Sequence, residues 1–212
     1  DFCLSRGLGD VYKRQGVDKA VLQTTPTGSL NKYTARVINK YSGRLIGLYG
    51  VDEERAYTKE KIEELHIYVE ELGLKGLNFS PYLEWEAYFN FCEAKYDPFW
   101  REVNSIGIPV YPGVLYSDPH TYEVELPMFK RLLEKFPSLT IILVHGYPSS
   151  ILPKGEIKDS VRKMALEIVK NYDVYLELLT NVKNYDIRYL YETFGPSKLL
   201  WGSEFVQVSQ PT

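Results

Sequence analysis

His145 closes the apolar run Leu139 to Val144 (LTIILV) and is followed by Gly146. An imidazole titrates near neutrality, and a neighbouring glycine lets a ligand come close. The pair therefore suits general acid–base chemistry or metal ligation. The competing assignment is a strand-end histidine bonded to the next loop. Glu204 stands just past Leu199-Leu200-Trp201-Gly202-Ser203. A carboxylate there can ligate a metal or act as a general base, or be a solvated loop group. Asn78 and Ser80 end the run LKGLNFSP and suit hydrogen bonding to a substrate. Tyr111 lies within the next apolar run, Ile108 to Val114, and Tyr116 and His120 follow it; all three could line a pocket, with His120 expected in the loop Ser117-Asp118-Pro119-His120. Lys75 lies about 10 Å before Asn78 at ~3.3 Å per residue, near the start of its strand, and reads as a structural or surface lysine. Glu177 is mid-strand in VYLELL. A buried carboxylate needs a partner, and structural pairing is favoured over a site role. His66 falls inside a helical stretch and reads as surface or packing. Cys92 has no base nearby in sequence.

These residues matter only if the elements around them bring them to one place. From Val17 the chain alternates short apolar runs with amphipathic stretches. Strands are expected at Val17 to Gln23, Arg44 to Tyr49, Leu74 to Phe79, Ile108 to Val114, Leu139 to Val144, Val174 to Leu179 and Lys198 to Trp201. Helices are expected at Ser29 to Tyr41 with Ser29 as N-cap, Thr58 to Leu72 stopped by Gly73, Asp97 to Ser105 entered through Pro98, Tyr122 to Phe136, Ile157 to Asn171 and Tyr185 to Phe194. This is βα repeated, about seven strands in all, each apolar on both faces as buried parallel strands are. A closed (β/α) barrel and an open doubly wound sheet both fit. Thr24-Thr25-Pro26-Thr27-Gly28 is not the Gly-rich turn of the open fold, which favours the barrel. In a barrel the working residues gather at the C-terminal strand ends, where His145, Glu204, Asn78 and Ser80 fall.

Composition narrows the partners. The 212 residues carry 25 basic and 28 acidic side chains, for a net charge of −3. No basic face is implied, so neither nucleic acid nor membrane is expected as a partner. A small-molecule substrate is expected, with a homodimer as the further option and the cytoplasm as the location. Two cysteines make no disulfide framework. No HxH, HExxH, CxxC, GxSxG or phosphate-loop pattern follows residue 16. The 18 tyrosines are a weak pointer to a ring-lined ligand site.

Ser5 to Gln15 (SRGLGDVYKRQ) resembles one reading frame of a transposase sequencing adapter. Residues 1–15 are therefore expected to be an adapter-derived, non-native segment, and residues 16–212 a barrel fragment from a conceptual translation. On this reading the first strand is missing, the C-terminus is truncated, and the fragment is unstable because two sheet edges stay unpaired.

The runs GVDKAVLQ, GRLIGLYGVD, ELGLKGLNFSP, DPFWREVNSIGIPVY, FKRLLEKFPSLTIILVHG and LLWGSE, in that order across residues 16 to 204, resemble the amidohydrolase-related family. The matching branch is that of aminocarboxymuconate semialdehyde decarboxylase, resorcylate-type decarboxylases and pyrone-dicarboxylate lactonase. The resemblance implies a (β/α)8 TIM barrel, here incomplete, with a divalent metal (Zn or Mn) at its mouth. It implies a hydrolase or decarboxylase of a small carboxylated or cyclic substrate. His145 matches the family's strand-six histidine and Glu204 its strand-eight carboxylate, normally Asp. Glu204 is thus implied as both catalytic residue and metal ligand. The His-x-His pair of the first strand would lie upstream of Gly16, and Gly113 stands where another metal-binding histidine is usual. These departures leave room for a metal-independent lactonase-like hydrolase, or for a barrel that binds a ligand without turnover.

Overall fold

Short runs rich in leucine, isoleucine and valine can be buried on both faces when crossover helices cover a parallel sheet. The computed structural model describes residues 16–23, 28–80, 90–112, 119–144, 158–178 and 184–202. Its strands are β1 (Ala20–Leu22), β2 (Leu45–Gly47), β3 (Tyr49–Gly50), β4 (Leu77–Phe79), β5 (Val110–Pro112), β6 (Ile141–Leu143), β7 (Val174–Leu178) and β8 (Leu199–Trp201). Every pairing is parallel: β1 with β2, then β3 through β8 in sequence order. Leu48 joins β2 to β3. Its amide donates to Leu22 O at 3.1 Å, and the next amide, Tyr49, donates to Gly76 O at 2.7 Å. One continuous strand thus pairs β1 on one side and β4 on the other, so the eight segments make seven strands. Their order never reverses, which excludes the doubly wound sheet and leaves an incomplete (β/α)8 barrel. Among the described residues, β1 and β8 each pair on one side only. Val21, Leu200 and Trp201 are exposed along those two strands.

The helices are α1 (Asn31–Lys40), α2 (Lys59–His66), α3 (Asp97–Ile106), α4 (Pro119–Lys135), α5 (Asp159–Asn171) and α6 (Asn184–Phe194). In α1 the buried positions Asn31, Thr34, Ala35 and Ile38 follow helical spacing. Ser29 does not cap this helix, whose N-cap position is Leu30 without a side-chain bond. The helix start is anchored by Asn31 instead: its Nδ2 donates to Gly50 O at 2.7 Å and its Oδ1 accepts from Gly50 N at 2.9 Å. Thr58 caps α2 by accepting from Lys61 N at 3.4 Å. The expected continuation to Leu72 is wound more widely, as a π-turn over Ile67–Glu71. That turn buries Tyr68 and Val69 together and stacks Tyr68 on Tyr49 at 5.4 Å. α3 begins with Pro98 in its first turn and ends at Gly107 (φ 74), a left-handed position that suits glycine. α4 starts three residues earlier than its apolar pattern suggests, because Pro119 is tolerated at a first helical position. His120 therefore lies in the first turn of a helix and not in the preceding loop.

Two apolar layers result. The larger packs strands against helices and includes Phe79, Phe91, Phe99, Trp100 and Phe129. The smaller consists of Leu48, Tyr111, Ile142 and Val144, with Tyr175 against it. Cys92 is buried and donates from Sγ to Met128 O at 2.8 Å, and burial pushes its thiol up to about 11. This is a packing cysteine. His66 bridges α2 and α3, with Nδ1 3.2 Å from Glu70 and Nε2 3.3 Å from Glu102. No helix of the described residues is long and apolar enough to cross a membrane.

Candidate functional site

Side chains alternate across a strand, so register decides which of them share the barrel interior. Tyr111 lies opposite Asn78, Ile142 opposite Tyr175, and Glu177 opposite Leu200. Leu77, Phe79, Val110, Ile141, Leu143, Val174, Leu176 and Leu178 belong to the helix-covered layer. The residues between them face the other way. That places Asn78, Ser80, Tyr111, Val144, Tyr175 and Glu177 on the inner side. Leu48, Ile142 and Tyr175 form an apolar floor. Asn78, Ser80 and Glu177 lie nearer the C-terminal strand ends, the side on which barrel chemistry occurs.

The floor has a tight point at Gly76. A Cβ there would come within 2.7 Å of Leu48 Cδ2, 3.2 Å of Pro109 O and 3.3 Å of Tyr111 Cε2. The missing side chain makes the space that Tyr111 occupies. Burial raises the Tyr111 phenol to about 12, with the Glu177 charge adding to it. Tyr111 is therefore a neutral hydroxyl at physiological pH, able to donate or accept a hydrogen bond.

At the ends of β3 and β4 a second group of polar side chains is almost fully enclosed. Asn78 is 6% exposed, Ser80 2% and Glu53 6%. Ser80 Oγ donates to Asn78 Oδ1 at 3.3 Å, and Ser80 N donates to Glu53 Oε1 at 3.0 Å. These bonds fix which end of the Asn78 amide accepts, and they pin the backbone where β4 ends. Burial pushes the Glu53 carboxyl up to about 7; the Ser80 amide works against this, and the charges of Asp52 and Glu54 add to it. Near neutrality Glu53 can give or take a proton.

Of the residues singled out by sequence, Asn78, Ser80 and Tyr111 come together inside the barrel, with Glu177 beside them. Lys75 is exposed at the opposite end of its strand. His145, Glu204, Tyr116 and Gly113 lie outside the described residues, as does the side chain of His120. Two further residues join the site. Glu53 sits three positions past the end of its strand in Gly50-Val51-Asp52-Glu53. Gln23 follows β1 directly and donates from Nε2 to Glu177 Oε2 at 3.4 Å. The strand-end filter that singles out His145 applies equally to both. Among the described residues no three His, Cys, Asp or Glu side chains are grouped to hold a metal ion. The described part alone does not make a metal site.

Comparison with known proteins places this geometry. Residues 4–211 match the family described as Amidohydrolase. A dihydroxybenzoic acid decarboxylase from Polaromonas sp. JS666, with bound manganese and an inhibitor, superposes at a TM-score of 0.69 with 19% identity, covering 95% of this chain and 75% of that one. A 2,6-dihydroxybenzoate decarboxylase from Rhizobium gives 0.71 at 16% identity, covering 95% and 77%. A probable 2-pyrone-4,6-dicarboxylic acid hydrolase from Acinetobacter baumannii, with citric acid bound, gives 0.64 at 20% identity, covering 91% and 70%. At these identities the likeness establishes the barrel fold. No curated protein matches the chain.

Proposed function

The chain belongs to the amidohydrolase family, and on that premise we propose that it is a hydrolase or decarboxylase of a small carboxylated or cyclic substrate bound at the C-terminal mouth of the barrel. The observation that carries this reading is the inner row of polar groups, Asn78, Ser80, Tyr111 and Glu177, above an apolar floor. A ligand site combines those features: apolar walls for a ring, and a few fixed polar groups to orient it. In this reading Tyr111 and Asn78 position the substrate, and Ser80 holds Asn78 in place. His145 supplies a proton to the carbon that loses its carboxylate, or to the oxygen that leaves in hydrolysis. Glu204 takes the proton of an attacking water.

The structures similar to this one include a manganese-bound decarboxylase. A divalent ion here would have Glu204 as a ligand with His145 beside it as the acid–base group, and its chemistry would be to polarise a carbonyl or carboxylate oxygen or acidify a bound water.

The test is turnover of 2,6-dihydroxybenzoate, followed as released CO2, and of 2-pyrone-4,6-dicarboxylate, followed as loss of ring absorbance. Each is run with and without added manganese and with chelator. His145→Ala should lower the rate by at least about 10²-fold. An unchanged rate removes His145 from this role. No turnover of either class by the wild type refutes the enzymatic reading and leaves a binding barrel.

A further inference from the structure

The turn after β3 carries four charged residues in a row, Asp52-Glu53-Glu54-Arg55, and of these only Glu53 is buried. Arg55 pairs with Glu60 at 3.1 Å on the surface, and the exposed Glu54 offers its carbonyl to Tyr96 Oη at 3.2 Å. The turn is fixed on both sides. Before it, Asn31 holds both the N–H and the C=O of Gly50, the residue that lies opposite Asn78 in the ladder. After it, Ala56 is wholly buried and Thr58 Oγ1 donates to Arg55 O at 2.8 Å. Glu53 is therefore carried on an anchored turn, beside the strand end that it meets.

Its contact is with the end of β4. Glu53 Oε1 accepts from Ser80 N at 3.0 Å, a buried bond, and Ser80 Oγ donates to Asn78 Oδ1 at 3.3 Å. Three side chains from the ends of two adjacent strands are thus linked, and none of them is more than 6% exposed. A carbonyl, a hydroxyl or a side-chain amide can satisfy a backbone N–H, and a carboxyl is the costliest of these acceptors to enclose. Burial keeps this one protonated up to about 7. A costly acid enclosed beside a candidate site is the pattern of a functional group more than of a filler.

We propose that Glu53 is a positioning residue of the barrel mouth: by holding the Ser80 amide it sets the place of the Ser80 hydroxyl, and through that hydroxyl the orientation of the Asn78 amide toward a bound ligand. This rests on the proposed function, since it takes Asn78 to contact the substrate, and it adds to that reading a group that acts on the substrate without touching it. The effect is one of reach. On an anchored turn, a side chain one methylene shorter draws the acceptor back by about one bond length, ~1.5 Å, which takes it out of hydrogen-bonding distance of the Ser80 amide. Glutamine keeps both the length and an acceptor oxygen. A displacement of about 1 Å in a group that orients a ligand is enough to be felt at the site.

The test is the dissociation constant of 2,6-dihydroxybenzoate, measured by calorimetry on the full chain and on two variants of opposite character. Glu53→Gln removes the charge and keeps the acceptor; Glu53→Asp keeps the charge and withdraws the acceptor. Binding should stay within about threefold of the wild type in Glu53→Gln and weaken by about tenfold or more in Glu53→Asp. In an Asn78→Ala background Glu53→Asp should add less than about twofold, because the group it positions is gone. Wild-type affinity in Glu53→Asp, an equal loss in Glu53→Gln, or the full loss with Asn78 already removed overturns the proposal. Should Glu53→Asp not fold, Ser80→Ala cuts the same link at the hydroxyl: binding about tenfold weaker supports the proposal, and unchanged binding overturns it. A second readout needs no ligand. In amide NMR spectra the Ser80 backbone N–H and the Asn78 side-chain amide should both shift in Glu53→Asp and stay near their wild-type positions in Glu53→Gln. A static Asn78 amide overturns the proposal alone and leaves the proposed function standing. If both amides shift but the wild type binds no ligand, the positioning role falls together with the proposed function.

Discussion

The two faces of the sheet are built to different ends. The face under the helices is continuous and aromatic. Phe79, Phe91, Phe99 and Trp100 are wholly buried there, with Trp100 4.8 Å from Phe79 and 5.3 Å from Phe99. Among the described residues the inner face has Leu48, Tyr111, Ile142 and Val144 as its apolar cluster, and toward the strand ends it turns to amides, hydroxyls and carboxylates. Burial of large rings stabilises a fold, and polar groups held inside a cleft cost stability unless they are bonded. The outer face thus carries the stability and the inner face the proposed chemistry, a division that substitutions can break.

The largest effect is expected on the outer face. Trp100 is fully buried, and its Nε1 donates to Phe91 O at 2.8 Å. Trp100→Ala removes the ring contacts and the hydrogen bond to that carbonyl. It should cost about 3–5 kcal/mol in urea unfolding. If a barrel ligand is bound, its affinity should change only as far as the folded fraction changes. A small stability loss with a large affinity loss would place the working surface on the wrong face.

This division explains what the sequence could disclose. The helix-covered strands are legible because leucine, isoleucine and valine in short runs leave little choice but burial, and seven strands follow from seven such runs. His145 and Glu204 stand out as polar residues ending apolar runs. Glu177 is visible as a carboxylate within a strand, yet its orientation depends on parity relative to Leu176 and Leu178, which only the pairing with β6 and β8 fixes. Glu53 hides for the opposite reason. In Asp52-Glu53-Glu54-Arg55 it reads as one of several solvated charges, and its burial is set by Ser80, 27 residues later. The π-turn at Ile67–Glu71 leaves no mark in the helical spacing either, since Leu65 and Val69 satisfy an ordinary α-helix.

Glu53, enclosed beside the end of β4, predicts an effect of pH. Unfolded, its carboxyl ionises around 4.5; folded, burial holds it protonated up to about 7. Between those values the folded state binds the extra proton, so stability is fully present below 4.5 and declines as pH rises to 7. The decline should be about 3 kcal/mol from this group. Glu53→Gln keeps an acceptor for the Ser80 amide but cannot ionise. Unfolding curves at a series of pH values should show the decline in the wild type and its loss in the variant. Parallel curves for the two proteins would mean that Glu53 is solvated and that the polar group at the end of β4 is not enclosed.

The smallest stability effect, and the sharpest test of the comparison, belongs to Gly76. The Cβ of Gly76→Ala would press on Leu48 Cδ2 and Tyr111 Cε2, both side-chain ends, but also approach the Pro109 carbonyl, which cannot swing away. Overpacking of this kind costs about 1–3 kcal/mol, and the lower end is expected because two of the three nearest atoms are the ends of side chains. Tyr111 must absorb the movement, and its hydroxyl is the floor's contribution to the proposed site. Gly76→Ala should therefore unfold at slightly lower urea than the wild type while binding 2,6-dihydroxybenzoate several-fold more weakly. That is the reverse of the balance expected for Trp100→Ala. Equal losses in the two variants would show that the faces are energetically coupled, and that the barrel interior is structural core and not a site resting upon one.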